Sequence, residues 1–211
     1  MLSRLLRLVV TTLVLVGLLA GVPRGDRLRA MAQAVGTADS RRVDDIRSAL
    51  LRLPYYGVFD FLTFSYAKGT VVLGGYAYHA TLAADAERAV KRVPGVDTVT
   101  NQITNLSVSR FDDDIRWRVF YAIYTNAFLM KYSPGGGLLW GHQHAVRSGL
   151  VPGFPGMQPV GNYPIHIVVE RGRVRLLGMV DSDADKTVAG IAARGVSGTF
   201  GVENELVVDR P

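Results

Sequence analysis

The chain has 211 residues, no cysteine, 48% apolar residues and a formal net charge of +6. The apolar content is too high for a disordered chain, and the lack of cysteine excludes a disulfide framework, a thiolate zinc site and a cysteine nucleophile. Residues 1–34 hold five arginines and one acid, which leaves 19 basic and 17 acidic side chains in the rest of the chain. That near-neutral body lacks the charge of a nucleic-acid-binding domain.

The N-terminal segment has the pattern of an export signal. A short basic start is followed by an uncharged, mostly apolar run, LVVTTLVLVGLLAGV, at positions 8–22. Its length matches the core of a secretory signal, whereas a full membrane span needs about 20 residues. Small residues at 30–34 offer cleavage sites, but three arginines separate them from the run. We therefore predict that residues 1–34 are a signal peptide or a membrane anchor. The protein is then periplasmic or otherwise extracytoplasmic, either released or tethered to the inner membrane.

The body of the chain contains an internal repeat. Residues 68–106 align with residues 171–209 without a gap, and ten of the 39 aligned positions are identical. The identical pairs are Gly69/Gly172, Val71/Val174, Leu73/Leu176, Gly75/Gly178, Ala86/Ala189, Ala89/Ala192, Val93/Val196, Gly95/Gly198, Val99/Val202 and Asn101/Asn204. Two copies of one structural unit are therefore expected.

Each copy is predicted to contain a β-hairpin. Lys68-Gly69 and Arg171-Gly172 separate two apolar stretches and fit tight turns, in which glycine supplies a positive φ. The strands before these turns are predicted at Val58–Tyr66 and Ile165–Val169. In the strands after them the apolar residues recur at every second position, as in a sheet with one buried face.

A helix and a last strand complete each copy. The predicted helices and their N-caps are Ala83–Val93 with Thr81, and Ala184–Arg194 with Asp183. Gly75 and Gly178 are expected to end the preceding strand or to let a helix approach it closely. The glycines predicted at turns or packing contacts are Gly69, Gly75, Gly95, Gly172, Gly178 and Gly198.

A further helix precedes each hairpin. The apolar stripes that predict these helices are Val43, Ile46, Leu50 and Leu53 in the first copy, and Ile115, Val119, Ala122 and Ile123 in the second. They align at a shift of 69 positions, so the second copy carries a 34-residue insertion between its first helix and first strand. The predicted fold is α+β, with two copies of an αββαβ sandwich, each with helices on one face of a three-stranded sheet. Because each copy is small, the two are expected to pack together.

The repeat resembles the BON domain, a module of osmotically induced periplasmic proteins and other envelope proteins. The residues that carry the resemblance are Val71-Val72-Leu73-Gly74-Gly75, Ala86, Ala89, Val93-Pro94-Gly95-Val96, Val99 and Asn101, and in the second copy Val174-Arg175-Leu176-Leu177-Gly178, Ala189, Ala192, Val196-Ser197-Gly198, Val202 and Asn204. The second copy departs from the pattern at Thr199-Phe200. The modules span residues 42–108 and 111–209.

The resemblance implies a non-enzymatic envelope protein that binds phospholipid or maintains membrane integrity under osmotic stress. The alternative is an interaction or assembly module of an envelope complex, with protein partners and no lipid role. Neither reading requires a cofactor, a small-molecule substrate or nucleic acid.

The search for catalytic or metal-binding motifs favours structural roles. Residues 181–185, DSDAD, have the opening spacing of a calcium loop but lack its later glycine and glutamate, which favours a helix cap. His142 and His144 lie in a glycine-rich stretch without a local carboxylate, which is not a metal site. Residues 112–114 are three acids expected at a helix start. The aromatic residues of copy one, between Tyr55 and Tyr78, are expected mostly in its core.

The insertion, at about residues 133–163, is dense in glycine and proline and cannot form a regular helix or central strand. Its apolar residues are candidates for contact with a membrane or a protein partner. They are Leu138, Leu139, Trp140, Leu150 and Phe154. The alternative is that the insertion folds back over the sheet of copy one or over the junction between the copies.

Overall fold

The computed structural model describes residues 39–133 and 158–209, and in them one arrangement of elements occurs twice. The first module consists of a helix over residues 39–51 (α1), β1 (Phe61–Ala67), β2 (Thr70–Ala77), α2 (Leu82–Lys91), β3 (Thr98–Asn101) and β4 (Thr104–Asn105). The second consists of α3 (Arg110–Tyr124), a 3-10 turn (Met130–Tyr132), β5 (Ile165–Glu170), β6 (Arg173–Val180), α4 (Asp183–Arg194), β7 (Gly201–Asn204) and β8 (Val207–Val208). Both modules belong to one compact unit that starts at Arg41. The predicted α+β repeat is confirmed.

Both sheets have the same topology and register. β1 pairs antiparallel with β2, and β3 and β4 pair parallel with β2 after the crossover through α2. The second module repeats this order at the predicted shift of 103 positions. The hairpins turn through two residues of positive φ, Lys68-Gly69 and Arg171-Gly172, which is the geometry of a type I′ turn. These two turns are where the sequence predicted them.

The last strand of each sheet is interrupted, so each sheet has four short strands instead of the three predicted. Asn101 causes the interruption, because its side chain accepts a hydrogen bond from the N–H of Ile103 (3.1 Å) and donates one to the carbonyl of Ala83 in α2 (2.8 Å). Asn204 makes the equivalent bonds with Leu206 (3.4 Å) and Lys186 (2.7 Å). The asparagine shared by the two copies thus fastens the strand to the helix.

Two local predictions are corrected, and a third is confirmed in position only. β1 begins at Phe61 and not at Val58, because the preceding residues turn away to contact the second module. The N-cap of α4 is Ser182 and not Asp183, since the Ser182 hydroxyl accepts from the N–H of Asp185 (3.1 Å). Thr81 occupies the N-cap position of α2 but makes no side-chain capping bond.

Gly75 and Gly178 lie inside their strands and do not end them. Both adopt a positive φ, of 103° and 117° respectively. A Cβ atom on Gly75 would overlap the carbonyl oxygen of Phe61 in the neighbouring strand, and one on Gly178 would overlap that of Pro164. The close approach at these glycines is therefore made by a backbone and not by a helix.

Each module has its own core between its helices and one sheet face, and the two modules pack together as predicted. The second core includes Val58 and Phe59, which the first module contributes. The opposite sheet faces also meet, where Phe61 and Tyr76 pack against a small cluster. The buried members of that cluster are Leu106, Val168 and Leu177. Within the described residues, no helix has the length and apolarity needed to cross a membrane.

Candidate functional site

A buried carboxylate marks the junction between the two modules. Asp60 is fully buried and accepts hydrogen bonds from the backbone N–H groups of Gly57 (2.9 Å) and Tyr78 (2.6 Å) and from the side-chain amide of Gln158 (2.6 Å). Burial raises the pKa of Asp60 to about 6, against the opposing effect of these donors. The three N–H donors match an ionised carboxylate, which is the form present at neutral pH.

Gln158 lies in the last part of the insertion and is hydrogen-bonded to the first module. Its amide also donates to the carbonyl of Tyr55 (2.9 Å) and accepts from the N–H of Phe59 (2.9 Å). The adjacent Pro159 accepts from the N–H of Val58 (3.1 Å). The last residues of the insertion thus lie at the junction between the modules, which was the alternative expectation for the insertion, although no sequence pattern singled out Gln158.

His166 lies in the same junction and is neutral at physiological pH. Its Nε2 atom is 3.3 Å from the hydroxyl of Tyr56. Burial lowers the pKa of His166 to about 4, and burial also raises the pKa of the Tyr56 hydroxyl. This pair is a neutral hydrogen bond between the modules, without the exposure that proton transfer to a substrate requires.

The acids at residues 112–114 begin a helix, as predicted, but two of them are buried and have specific partners. Asp112 accepts from the backbone N–H groups of Arg171 (3.0 Å) and Gly172 (2.7 Å), which fixes the hairpin turn. Asp113 pairs with Arg116 at 2.5 Å. Sequence reasoning missed Arg116, since its position gives no sign of burial.

Arg116 is the largest fully buried side chain of the described chain. Besides Asp113, its guanidinium donates to the carbonyl of Val169 (2.5 Å) and lies 4.9 Å from the ring centre of Tyr78, which belongs to the first module. The first module therefore covers this arginine, and a cation–π contact replaces part of its hydration.

The same acid and arginine recur in the first module, where they are exposed. The shift of 69 positions aligns Asp44 with Asp113 and Arg47 with Arg116. Asp44 and Arg47 form an ion pair of 2.8 Å, and their side chains are 69% and 58% exposed. Arg47 lines an open groove of about 290 Å³ between α1 and β1. The other lining residues are Leu50, Leu51, Tyr56, Leu62, Thr63 and Phe64. We call this the α1–β1 groove.

A second exposed surface lies at the hairpin end of the second module. Phe111 and Phe200 are 49% and 73% exposed, and their ring centres are 5.8 Å apart beside Gly172. Three exposed arginines are neighbours of these phenylalanines along the chain or across the hairpin. They are Arg110, which precedes Phe111, Arg171 of the hairpin turn, and Arg173, whose strand pairs with the residue after Phe200. We call the two rings and three arginines the aromatic tip.

The first module has no aromatic tip. The two repeat shifts place Arg42 at the position of Phe111 and Asp97 at the position of Phe200. Arg42 and Asp97 also lie against the equivalent glycines, Gly95 and Gly69. The two modules therefore share a backbone here but differ completely in the chemistry of this end.

In the segment 181–185, which has the opening spacing of a calcium loop, two carboxylates pair with a lysine. Asp185 accepts from the hydroxyls of Ser182 (2.6 Å) and Tyr132 (3.0 Å) and pairs with Lys131 at 3.0 Å. The hydrogen bond from Ser182 lowers the pKa of Asp185 most, and Lys131 adds to this effect. Lys131 also pairs with Asp181 at 2.8 Å. Across residues 39–133 and 158–209, no cluster of three histidine, aspartate or glutamate side chains fits a metal ion.

Some of the other residues selected from the sequence lie in the described part of the chain, and some lie outside it. All six glycines selected from the sequence have a positive φ. His79 stacks on Tyr55 at 4.6 Å, which is a surface contact. The proposed contact residues of the insertion, Leu138, Leu139, Trp140, Leu150 and Phe154, lie outside the described residues, as do His142, His144 and the N-terminal segment.

The architecture defines a tandem α+β repeat protein. The family model of the BON domain matches residues 38–105 and 155–210, which together are more than half of the chain. The chain belongs to the BON domain family. Proteins of this family are in general non-enzymatic and associated with the cell envelope.

Two solved structures are similar to this chain over most of its length. Both are of CdsD, a structural protein of the type III secretion system of Chlamydia trachomatis, and each is 14% identical to this chain. One alignment covers 79% of this chain and 91% of the chain in the solved structure, with a TM-score of 0.25. The other, with the C-terminal domain, covers 80% and 97%, with a TM-score of 0.24. Scores this low carry no inference about this chain. No curated protein matches the sequence.

Proposed function

We propose that this protein is an exported, non-enzymatic envelope protein that binds the surface of a phospholipid membrane. The observation that carries the proposal is the aromatic tip. Two adjacent, exposed phenylalanines with arginines around them combine apolar insertion with attraction to anionic headgroups. Membership of the BON domain family supports the same role. We further propose that this binding serves to maintain membrane integrity under stress.

The expected strength of attachment follows from the exposed groups. Complete burial of a phenylalanine is worth roughly 1.5–3 kcal/mol, and each arginine near an anionic surface adds about 1 kcal/mol. The rings of Phe111 and Phe200 are already partly covered, so each gains only part of the full value. The sum is several kcal/mol, which gives reversible attachment that weakens with salt.

Vesicle flotation tests this proposal, with a variant whose substitutions are taken from the aligned positions of the first module. The double variant Phe111→Arg with Phe200→Asp gives the second module the residues of the first, Arg42 and Asp97. Residues 36–211, without the N-terminal apolar run, are floated with phosphatidylcholine vesicles containing about a third phosphatidylglycerol, at low and high salt. We expect the double variant to bind at least tenfold more weakly than the wild type, and high salt to weaken the wild type.

The matched control is Phe128→Ser. Phe128 is 73% exposed, as is Phe200, but it follows the other end of α3, a helix about 22 Å long at 1.5 Å per residue. This variant should bind as the wild type does. Equal binding by the double variant and the wild type would exclude the aromatic tip as the membrane contact.

The insertion is a second proposed contact. Trp140 beside Leu138 and Leu139 has the composition of a segment that enters a bilayer interface. In the same flotation experiment, Trp140→Ala with Leu139→Ala should weaken binding at both salt concentrations, because the loss is apolar. Unchanged flotation of this variant would leave the aromatic tip as the proposed contact and assign the insertion a different role.

A further inference from the structure

The α1–β1 groove of the first module corresponds to a groove that is filled in the second. The shift of 69 positions relates Arg47 and Leu51 to Arg116 and Phe120 in α3. The shift of 103 positions relates Phe64 in β1 to Ile167 in β5. Both grooves therefore lie between the first helix and the edge strand of a module, with an arginine on the helix side.

The occupant of the filled groove is an extended segment of the first module. The carbonyl of Val58 accepts a hydrogen bond from the N–H of Ile167 (2.8 Å), which adds a backbone pairing to the outer edge of β5. The ring of Phe59 packs edge-on against Trp117 (5.5 Å between centres) and also contacts Phe120 (6.4 Å). Val58 and Phe59 are both fully buried there.

The corresponding surface of the first module lacks such an occupant among the described residues. β1 is the edge strand of its sheet, and no backbone group of the described chain pairs with Phe64 on the outer side. The apolar side chains of β1 are only half-buried, whereas β5 is buried along five consecutive residues. Leu51 at the groove is 41% exposed.

The second module of another copy does not offer a matching segment. The repeat places Gly161 and Asn162 at the positions of Val58 and Phe59, and Asp181 at the position of Tyr78. The segment of the first module that does match is already buried within its own chain. A second copy of this chain is therefore a poor partner for the groove.

We propose that the α1–β1 groove binds an extended segment of a partner protein in which an apolar residue is followed by an aromatic one. Its backbone pairs with β1 at Phe64, and its side chains cover Leu51 and Leu62. Arg47 lines the groove, and its exposed guanidinium can lie over an aromatic ring of the bound segment. This mode of recognition is strand addition to a free sheet edge. It does not depend on membrane binding by the aromatic tip.

The chain provides its own probe for this site. A fluorescein-labelled peptide of residues 54–61, PYYGVFDF, carries the segment that fills the equivalent groove. Its binding to the full chain is measured by fluorescence anisotropy, beside a peptide with aspartate in place of Val58 and Phe59. We expect saturable binding of the first peptide and at least tenfold weaker binding of the second.

Variants of the full chain locate the bound peptide. Leu51→Asp places a charge in the α1–β1 groove and should weaken binding at least tenfold, and Arg47→Glu should weaken it several-fold. Ile191→Asp is the matched control, since Ile191 is a 61% exposed aliphatic residue on α4, and it should bind as the wild type does. The same variants distinguish the two grooves. A peptide that displaced Val58 and Phe59 from the second groove would bind at Phe120, which these substitutions leave unchanged, and its binding would not weaken.

Three outcomes would overturn the proposal. The first is the absence of saturable peptide binding by the wild type. The second is equal binding by the wild type and Leu51→Asp. The third is concentration-dependent dimerisation in sedimentation velocity that Leu51→Asp abolishes, since the groove would then bind a second copy. Vesicle flotation of Leu51→Asp separates this site from the aromatic tip, because flotation should not change.

Discussion

Two arginines of the repeat show how one residue type acquires different roles in different surroundings. Arg47 and Arg116 each pair with an aspartate three positions earlier in a helix. The first pair is exposed to solvent and contributes little, because exposed ion pairs are typically worth less than about 1 kcal/mol. The second is buried under Tyr78, where loss of one partner leaves an uncompensated charge.

We therefore expect Arg116→Ala and Arg47→Ala to differ strongly in their effect on stability. Arg116→Ala leaves Asp113 buried without its partner and should lower the free energy of unfolding by about 3–5 kcal/mol. Arg47→Ala should lower it by less than about 1 kcal/mol. Urea unfolding monitored by circular dichroism measures both. Equal losses in the two variants would contradict the assigned burial of Arg116.

The junction contains two titrating groups whose effects on stability oppose each other. The pKa of Asp60 rises from 3.8 to about 6 on folding, so its contribution to stability falls as the pH rises from about 4 to 6. The pKa of His166 falls from 6.5 to about 4, so its contribution rises as the pH rises over nearly the same interval. In the wild type these two slopes largely cancel.

Substitution of either residue should reveal the pH dependence of stability that the other residue causes. The free energy of unfolding of Asp60→Asn should rise with pH between 4 and 6.5 more steeply than that of the wild type, by up to about 1.4 kcal/mol per pH unit. His166→Phe should shift the slope in the opposite direction. Urea unfolding at a series of pH values measures both variants. Parallel curves for the wild type and Asp60→Asn would show that the pKa of Asp60 is not raised.

At the scale of elements, the two sheets depend on a glycine that lets neighbouring strands approach. Gly75 has a φ of 103° and faces the carbonyl of Phe61, whereas Gly74 beside it has no positive φ. A Cβ atom on Gly74 would meet only the hydroxyl of Thr63, at 3.2 Å. The chain thus contains adjacent glycines with unequal constraints.

Substitution by alanine should therefore cost more stability at Gly75 than at Gly74. Gly75→Ala should lower the free energy of unfolding by roughly 1–3 kcal/mol, because alanine at this φ is strained and its Cβ overlaps a backbone atom. Gly74→Ala should change it by less than about 1 kcal/mol. Thermal unfolding of the two variants is the measurement. A melting temperature of Gly75→Ala equal to that of Gly74→Ala would remove the structural role assigned to Gly75.

The sequence predicted the elements well where the repeat constrained them. The aligned glycines and the alternating residues around Val71 and Val174 defined the hairpins and the central strands, because backbone geometry depends on such local patterns. The split at Asn101 escaped prediction, since a side-chain bond to a helix has no local signature. The stripe of α1 predicted the burial of Ile46 and Leu50, but not that Arg47 between them lines a groove.

The candidate sites were less predictable, because they depend on how the two modules pack. Phe111 and Phe200 are distant in sequence and become neighbours only when α3 and the turn before β7 meet. Val58 and Phe59 followed the alternation of a strand but belong to the core of the other module. Neither juxtaposition is encoded in a local pattern. Only the comparison of the two copies within the structure shows which exposed residues are unusual.

At the scale of the whole molecule, Phe59 joins the two modules. Its side chain comes from the first module, is fully buried, and contacts Trp117 and Phe120 of the second. Truncation of a buried phenylalanine typically costs 3–5 kcal/mol, through lost transfer free energy and an unfilled cavity. Because this cavity would lie in the core of the second module, the loss should reach beyond the module that carries the substitution.

We therefore expect Phe59→Ala to destabilise both modules together, by about 3–5 kcal/mol. Native-state hydrogen exchange at the amides of Val71 and Val174, in the central strands of the two sheets, measures each module separately. Both amides should lose the same free energy of protection if the modules open as one unit. Phe128→Ala, which removes an exposed ring, should leave both unchanged. If only Val174 loses protection, the two modules unfold independently. The open α1–β1 groove would then belong to a module that is stable without the contact that Phe59 makes with its neighbour.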